Sequence, residues 1–552
     1  MFDDIELNAI QEENARELVK RLLNVVEQLS REVRELRVEN QRLRDENNRL
    51  KGEQGKPDIR GNKASSPKAD HSSESERHKK RVRHKKSKKV EVRIDRKEIL
   101  KVDAKQLPAD AEYKGYETVV VQDIQVKTEN VLFCKEKYYS ASRHKTYLAQ
   151  LPPGYGGQFG PGIKSLILSL YFGVGTSEPK IREFLLNVGV QISTGEVSNL
   201  LIHKQEGFHA ESEAVYEAGL RSSVWQQSDH TETRKNGQRQ HCQVVCNPVY
   251  TSYHTRPKAD RLTALDVLRQ GRKRIFLLNE EAFGYLENVT LSNAAREVLP
   301  KWRSDTVWEE ADFLKRLDQT LPNLNIQQRT AILGAAAVAA YHAEKGVPIV
   351  DTLVCDDAAV FHWLTRAIML CWVHDGRAYK KLEPVIALHR QQLEEFRKRY
   401  WEYYDQLLAY RHTPTAMERK QLENQFDTLF ATETGYHELD QRIAKTRAKK
   451  TSLLLVLQHP ELPLHNNASE LAVRQRVRKR DVSFGPRTQL GLQAWDTFMT
   501  LADTARKLGI SFYAYIRDRV AETKQIPPMS LLVTKRAHEL SKGNEKTQQV
   551  IE

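Results

Sequence analysis

Leucine recurs at every seventh position from residue 22 to residue 50, and this repeat restricts the fold more than any other feature. The leucines take the d positions of a heptad, while valine or asparagine takes the a positions. Glutamates at g precede basic residues at the next e position, so each such pair is attractive. We therefore predict that residues 1–51 form a leucine zipper that joins two copies as a parallel homodimer; a single surface helix is the alternative. The d positions are Leu22, Leu29, Leu36, Leu43 and Leu50, and the a positions are Val19, Val26, Val33, Asn40 and Asn47.

Residues 52–95 differ sharply from the zipper, because they carry almost no apolar side chains. Such a segment cannot bury enough apolar surface to offset the entropy of ordering, so we predict a disordered linker. Eight of the eleven residues from 79 to 89 are Lys or Arg, and the whole chain has a net charge of +14. Charge of this kind is typical of proteins that bind nucleic acid. We expect DNA phosphate contacts from Lys79, Lys80, Arg81 and Arg83, with a merely solvated linker as the alternative.

The chain lacks the sequence features of secreted and membrane proteins. Its five scattered cysteines do not form a disulfide framework and fit a reducing compartment. The acidic N-terminal segment lacks the apolar core of a signal peptide. No apolar run reaches the roughly 18 residues of a membrane span, and the Ala-rich segment 330–346 predicts a core helix instead. We expect a cytoplasmic protein without a membrane partner.

Two small domains are predicted between the linker and residue 220. Residues 96–150 alternate in a β-like manner and are rich in Val and Tyr. Cys134 has no neighbouring cysteine there, so this stretch, though placed like a zinc ribbon, lacks the ligand pairs of one. Residues 160–220 predict short helices, with Gly189 ending one and Ser193 or Thr194 starting the next. This pattern predicts a helix-turn-helix that binds DNA, while a small helical bundle with another role is the alternative.

Acidic residues follow apolar strands in the second half of the chain. The segment SSVWQQSDHTETR predicts a strand that runs into Asp229, and GVPIVDTLVCDDAAVF predicts another that ends at Asp356 and Asp357 with a helix behind it. One more short strand precedes His374. Carboxylates at the ends of strands can hold two Mg²⁺ ions for in-line phosphoryl transfer. Acidic residues are common, so these positions alone identify a weak candidate for a metal site.

A third acidic residue, Glu470, opens a strongly basic segment, HNNASELAVRQRVRKR. Asn467 and Glu470 have the spacing of a capping box, which would need nothing beyond the start of a helix. The alternative is that Glu470 binds metal while its basic neighbours bind DNA. His374 is either a packing residue or a donor to phosphate or carboxylate. The basic residues that we expect to contact DNA here are Arg474, Arg478, Lys479 and Arg480.

These blocks resemble the DDE transposases of the insertion sequence 66 type. The resemblance rests on QQSDHTET, LVCDDAAVF, CWVHDGRAYKKL and PLHNNASELAVRQRVRKRDVSFGPR, and it covers roughly residues 96–520. It implies an α/β fold with an RNase H-like core in two parts, residues 222–384 and 460–525, interrupted by an all-helical insertion at 385–457. Residues 526–552 would form a C-terminal tail. Residues 385–455 predict long helices that form an antiparallel pair.

The resemblance also implies the chemistry. Asp229, Asp356 and Glu470 would be the catalytic, metal-binding triad, with two Mg²⁺ ions or with Mn²⁺ in their place. Asp357 competes with Asp356 for that role, because it stands where the family commonly has glycine. The cysteine-rich zinc segment of the family is reduced to Cys134, so we expect no zinc.

The implied function is a nucleoid-associated bacterial transposase. It would bind the terminal inverted repeats of its element, cleave a strand and direct the freed 3′-hydroxyl at target DNA, with element-encoded accessory proteins as further partners. A non-enzymatic DNA-binding regulator or transposase remnant is the main alternative, and a nuclease without strand transfer is another.

Overall fold

The computed structural model describes residues 12–51, 94–103, 108, 111–124, 126–287 and 289–548. Most of the basic linker, with Lys79, Lys80, Arg81 and Arg83, lies outside the described residues. Within the described part, none of the helices combines the length and the apolar character that crossing a bilayer requires.

The heptad region is one long helix, α1 (Glu13–Leu50). The d leucines are exposed, with Leu29 at 54% and Leu36 at 68% of full exposure. A neighbouring face of the helix is covered instead, since Leu23 and Glu27 are buried against a later part of the chain. Pairing of the exposed leucines with a second copy stays a prediction.

Residues 94–150 contain less β-structure than we predicted. One antiparallel hairpin forms, from β1 (Lys137–Ser140) and β2 (Lys145–Leu148). The described residues from 111 to 136 have no strand pairing, and Val119 and Val121 among them are exposed. The prediction of strands there is wrong, because β-propensity stabilises a strand only where partner strands and a covering face are present.

A helical region follows the hairpin, as predicted. Ser193 caps the helix that starts at Thr194 by accepting a hydrogen bond from the Glu196 N–H group. Gly189 adopts φ +85° after the preceding helix, a conformation that suits glycine. The local signals of a helix-turn-helix are therefore present, while its binding to DNA stays a prediction. The helices are α2 (Pro161–Leu168), which continues as a π-helical turn (Ser169–Val174), α3 (Glu178–Asn187), α4 (Thr194–Ile202) and α5 (Glu206–Arg221).

A mixed five-stranded sheet forms the centre of the described chain. The first three strands are β3 (Trp225–Lys235), β4 (Gln238–Asn247) and β5 (Tyr250–Arg256), which pair antiparallel in sequence order. Asn236 and Gly237 form a tight turn between the first two, both with positive φ. Further along the chain, the sheet is extended beyond β3 by two strands that run parallel to it, Thr352–Cys355 and Ala367–Leu370. β3 is longer than expected, so Asp229 lies inside it rather than at its end.

Small helices and a short hairpin fill the chain between β5 and residue 346. They pack around the Ala-rich helix, whose residues 335–340 are all buried; this helix confirms the prediction made for the segment. The elements are α6 (Arg261–Leu268), β6 (Ile275–Phe276), α7 (Glu280–Leu286), α8 (Asn293–Val298), β7 (Trp308–Glu309), α9 (Glu310–Thr320) and α10 (Ile326–Ala343). The two parallel strands of the sheet follow as β8 (Thr352–Cys355) and β9 (Ala367–Leu370). Turns rather than the expected helix connect β8 to β9.

The predicted insertion is helical, but it is not one antiparallel pair. Its second arm breaks near Gly435, which has φ +82°, and continues as a separate helix. A cluster of aromatic side chains, in which Trp372 packs against Tyr400 and Tyr403, forms its core and joins it to the strand before it. Helix α11 (Trp372–Lys380) precedes the insertion, whose helices are α12 (Ala387–Tyr410), α13 (Ala416–Phe430), α14 (His437–Arg447) and α15 (Lys450–Leu453).

The last helices close the sheet from one edge. They are α16 (Asn467–Ser483), α17 (Gln489–Leu508), α18 (Phe512–Val520) and α19 (Met529–Gln548). Helix α17 lies along β5, where Asp496, Thr500 and Thr504 accept hydrogen bonds from the N–H groups of the edge strand. These bonds satisfy backbone donors that an open sheet edge would leave unpaired.

Candidate active site

Two aspartates meet on adjacent strands of the sheet. β3 and β8 run parallel, and Gln227 is paired with Val354. Asp229 and Asp356 each lie two residues beyond this pair in the direction of the parallel strands. The register therefore places the two aspartates side by side. Neighbouring strands are about 4.8 Å apart. The sheet therefore supplies two acidic side chains from a rigid support.

A glutamine from β3 fixes the helix that carries the third acid. The Gln227 side-chain oxygen accepts hydrogen bonds from the N–H groups of Ala468, at 3.1 Å, and Ser469, at 3.3 Å. Its amide nitrogen donates to the His465 carbonyl oxygen at 3.3 Å. These N–H groups are among those that the first turn of a helix leaves unpaired. Gln227 thus caps α16 from outside and holds Glu470 near the strand that carries Asp229.

The capping box that we considered for this helix does not form. Asn466, not Asn467, precedes the first helical residue, and its side chain makes no capping bond. The Glu470 carboxylate instead lies 3.4 Å from the guanidinium of Arg377 in α11. Sequence reasoning missed both Gln227 and Arg377, because neither stands close to its partner along the chain.

The three acids share one electrostatic field. Burial, followed by the charge of Asp356, raises the pKa of Asp229 to about 7; Glu470 adds to this effect, while Arg377 opposes it. A carboxyl group with a pKa this high has too little positive charge around it to stabilise its ionised form. Mg²⁺ and Mn²⁺ bind oxygen ligands that carry uncompensated negative charge. The three acids therefore fit the metal ions that the family resemblance implies.

Asp356 and Asp357 have different surroundings. Asp357 pairs with Lys449, at 2.5 Å, and with His362, at 3.1 Å. Burial opposes ionisation of Asp357, but the bond and charge of Lys449 outweigh it and lower the pKa. Asp356 instead acts on Asp229 and accepts a hydrogen bond from the Ala358 N–H group at 3.3 Å. The helical insertion thus engages Asp357 through Lys449 and leaves Asp356 to interact with Asp229.

His374 lies next to Glu470 rather than on an open basic surface. It stands in the first turn of α11, and its Nδ1 atom is 3.5 Å from a Glu470 carboxylate oxygen. Its backbone N–H group donates to the Cys371 sulfur atom at 3.4 Å. A cavity of about 310 Å³ is lined by Cys371, His374 and Asp356. Arg442 and Lys449 of the insertion also line this cavity, which adds positive charge close to the acids.

The basic residues that follow Glu470 point in different directions. Arg474 and Arg478 are exposed, so their guanidinium groups are available to DNA phosphates. Arg480 is partly exposed and donates to the Glu232 carbonyl oxygen at 2.5 Å. Lys479 is buried, with its Nζ atom 3.1 Å from the centre of the Tyr171 ring. The expected contact between Lys479 and DNA is therefore wrong: an aromatic side chain, not phosphate, faces this ammonium group.

Arg476 is a second buried cation on the same helix, which we did not predict. It pairs with Asp496 at 3.1 Å and donates to the Thr255 hydroxyl at 2.9 Å. Its guanidinium also lies 4.9 Å from the centre of the Trp495 ring. One face of α16 thus packs on the rest of the protein through Arg476 and Lys479, while another face exposes Arg474 and Arg478 to solvent.

Comparison with known proteins identifies related sequences. The family model described as "Transposase IS66 family" matches residues 335–494, a range that includes Asp356, His374 and Glu470. A relative from Sinorhizobium fredii (strain NBRC 101917 / NGR234), "Uncharacterized protein y4jO", is 30% identical over 321 residues. The alignment covers 58% of this chain and 99% of the relative.

Proposed function

The chain belongs to the IS66 family of transposases, and from this premise we propose that it cleaves and joins DNA strands at the Asp229–Asp356–Glu470 site. Membership in this family implies a nuclease or transposase activity and a need for a divalent metal. The observation that carries the more specific proposal is the convergence of the three acids from β3, the end of β8 and the start of α16. Three antiparallel strands followed by two parallel ones, in the order β5-β4-β3-β8-β9, support an RNase H-like core.

Asp229, Asp356 and Glu470 would hold the ions. Bound Mg²⁺ would activate the attacking oxygen and stabilise the leaving oxygen in each in-line displacement. The three carboxylates would have to be ionised for this, and their mutual repulsion would be relieved as they bind cations. Gln227 would keep Glu470 in place, and Arg377, which neutralises Glu470 in this structure, would be free to contact a DNA phosphate.

The DNA partner would lie across the basic side of this site. Arg474 and Arg478 are on the exposed face of the helix that begins with Glu470, which supports contact with phosphates. The Lys79–Arg83 segment would add tethered charge, and the helices α3 and α4 would bind the terminal inverted repeats. Two copies joined through the exposed leucines of α1 would hold two element ends. Water would attack first, and the freed 3′-hydroxyl would then attack target DNA, without a covalent protein–DNA intermediate.

Strand cleavage and joining by the purified full chain tests this proposal. The substrate would be DNA that carries the ends of the element, with Mg²⁺ and, separately, Mn²⁺. Glu470→Gln keeps the size of the side chain and removes its charge, so it should lose both reactions while it still binds the ends. Equal activity of Glu470→Gln and the parent chain would remove Glu470 from the site. Specific binding of the ends without any reaction in the parent chain would favour the DNA-binding regulator instead.

A further inference from the structure

We propose that Cys371, His374 and Glu470 form a second metal site, which takes Zn²⁺ or another thiophilic divalent cation and thereby withdraws Glu470 from the DNA-cleaving site. One ligand atom from each residue lies within 4.8 Å of the other two. A thiolate and an imidazole favour zinc, whereas magnesium requires oxygen ligands. The withdrawal of Glu470 rests on the proposed function, but the binding of zinc does not.

Two helix starts bring the three ligands together. Cys371 immediately precedes α11 and His374 lies in its first turn, so their spacing of three residues turns both toward one side. Glu470 lies in the first turn of α16. A hydrogen bond of 2.9 Å from the Trp372 N–H group to the Leu464 carbonyl oxygen ties the two segments together. The site is therefore built from backbone that is fixed by the core.

The Cys371 sulfur would become a thiolate only when a cation binds it. Burial raises the pKa of this thiol to about 12, while backbone N–H groups of Asn466, His374 and Val373, directed at the sulfur, oppose the effect. The side chain is otherwise buried. Binding of a cation would replace the thiol proton, which would pass to solvent, and would form a sulfur–metal bond. Three protein ligands would leave a fourth position for water, as in open zinc sites.

A neighbouring side chain provides independent support. Asn466 is completely buried, and neither its amide oxygen nor its amide nitrogen has a hydrogen-bond partner among the described residues. Buried side-chain amides almost always have hydrogen-bond partners in folded proteins, so this one calls for an explanation. Water in the fourth position of the metal would give Asn466 a partner. The His374 Nδ1 atom is likewise buried without a hydrogen bond and lies 3.5 Å from a Glu470 carboxylate oxygen, so this nitrogen would be the one that binds the metal.

Arg377 occupies the place of the cation in this structure. Its guanidinium lies 3.3 Å from His374 Nε2 and 3.4 Å from the Glu470 carboxylate. A metal on Nδ1 would leave the ring proton on Nε2, which could then no longer accept a bond from Arg377. The guanidinium and the metal therefore exclude each other. Arg377→Gln should bind zinc at least threefold more tightly than the parent chain.

Titration of the metal-free full chain with Co²⁺ tests the site directly. Cobalt replaces zinc in such sites, and a cobalt–thiolate bond gives an absorption band in the near ultraviolet. We expect one equivalent of Co²⁺ to produce this band and Zn²⁺ to abolish it. Cys371→Ser should lack the band, and its hydroxyl keeps a cap for α11. Cys134→Ser is the matched control, because Cys134 is exposed and is not one of the three clustered ligands, and it should keep the band.

The variants separate this proposal from the proposed function. Asp229→Asn should keep the cobalt band, since Asp229 is not a ligand of this site, while it loses strand cleavage. His374→Gln should weaken cobalt binding at least tenfold, which guards against a folding defect in Cys371→Ser. Strand cleavage with Mg²⁺ is also measured at increasing Zn²⁺ concentrations, and each protein is compared with its own activity without Zn²⁺. The Zn²⁺ concentration that halves this activity should be at least tenfold higher for Cys371→Ser than for the parent chain. A parent chain without the band, or Cys371→Ser with it, would overturn the zinc site whatever the cleavage assay shows.

Discussion

Gln227 shows how a neutral side chain can organise an acidic site. It stands two residues before Asp229 on β3, and it caps the helix that carries Glu470. Asp229 and Glu470 are 241 positions apart along the chain, yet this one amide links their supports. Precise spacing between acids depends on such links, because metal ligands act only when their relative positions are fixed.

Replacing Gln227 should therefore impair catalysis more than folding. We expect Gln227→Leu to lose about 1–2 kcal/mol of stability, as for a lost helix cap, and at least tenfold of its strand-cleavage rate. Gln226→Leu is the matched control: Gln226 is also buried, but its side chain bonds to the Gly219 and Ser223 carbonyl oxygens away from the acids. Thermal unfolding and cleavage rates measured on both variants decide the matter. Equal losses of activity in the two would mean that Gln227 has no special role.

Asp229 should lower the stability of the metal-free protein at neutral pH. Its pKa is raised to about 7 in the fold, against 3.8 for the unperturbed side chain. This carboxyl group therefore lowers stability progressively as the pH rises from about 4 to 7, and fully above 7. Asp229→Asn should raise the unfolding temperature in EDTA at pH 8 but not at pH 4, and it should lose the stabilisation that Mn²⁺ gives the parent chain. Destabilisation by Asp229→Asn at pH 8 would contradict this view.

Asp229 and Asp356 could be proposed from the sequence because each lies in or after an apolar strand, and Glu470 could be proposed because it opens a strongly basic segment. Their partners could not. Arg377, Gln227 and Arg476 reach across the fold to residues remote in sequence, so no local spacing indicates them. Lys479 was misread for the same reason: its charge is visible in the sequence, but the ring of Tyr171 that covers it is contributed from more than 300 positions away.

Helix α16 is held by cations on its inner face. Lys479 donates to the Thr176 carbonyl oxygen at 3.3 Å, which connects this helix to the region of α2 and α3. Burial lowers the pKa of Lys479 to about 7, from an ordinary value of 10.5. The unfolded chain consequently binds more protons between pH 7 and pH 10.5, so this group makes stability rise with pH over that range.

Replacing this lysine should remove that pH dependence. We expect Lys479→Met to flatten the rise of stability between pH 7.5 and 9.5 by up to about 1.4 kcal/mol per pH unit. Methionine keeps the length of the side chain in contact with the aromatic rings. Urea unfolding of the parent chain and Lys479→Met at both pH values gives the change in free energy of unfolding with pH for each protein. The contributions of other titrating groups cancel when the two changes are subtracted. The same dependence in parent and variant would show that Lys479 titrates normally.

Element prediction succeeded where periodicity and caps were strong. The helix of the heptad region and the Ser193 cap are local patterns, and the structure has both. Prediction failed for residues 111–136, since strand formation depends on partners that the segment lacks in this structure. It also missed the break at Gly435, because helix-favouring residues lie on both sides of it within the second arm.

At the scale of the whole molecule, α1 has two separate faces. Leu23 and Glu27 are buried on the insertion, where Glu27 accepts hydrogen bonds from the Val385 and Ile386 N–H groups at 2.5 and 3.2 Å. The d leucines lie on another face and are exposed. One copy of α1 could thus bind its own insertion and a second chain at the same time. The zipper would then fix the position of each active site relative to the dimer.

The two faces can be separated by mutation. Leu29→Lys combined with Leu36→Lys should convert the dimer to a monomer, because charge would be buried at two d positions. Glu27→Ala should leave the dimer intact and increase hydrogen exchange at Val385 and Ile386, whose N–H groups would lose their acceptor. Sedimentation equilibrium and hydrogen exchange measure the two effects. A monomeric parent chain would refute the zipper.

The most direct test of the central claim compares two adjacent aspartates. Asp356 faces Asp229, whereas Asp357 is engaged by Lys449 and His362. Strand cleavage of element-end DNA would be measured with Mg²⁺ for Asp356→Asn and Asp357→Asn, with end binding as the control. We predict a loss of at least a thousandfold for Asp356→Asn and of no more than tenfold for Asp357→Asn. Full activity of Asp356→Asn would contradict the assignment of the metal-binding triad.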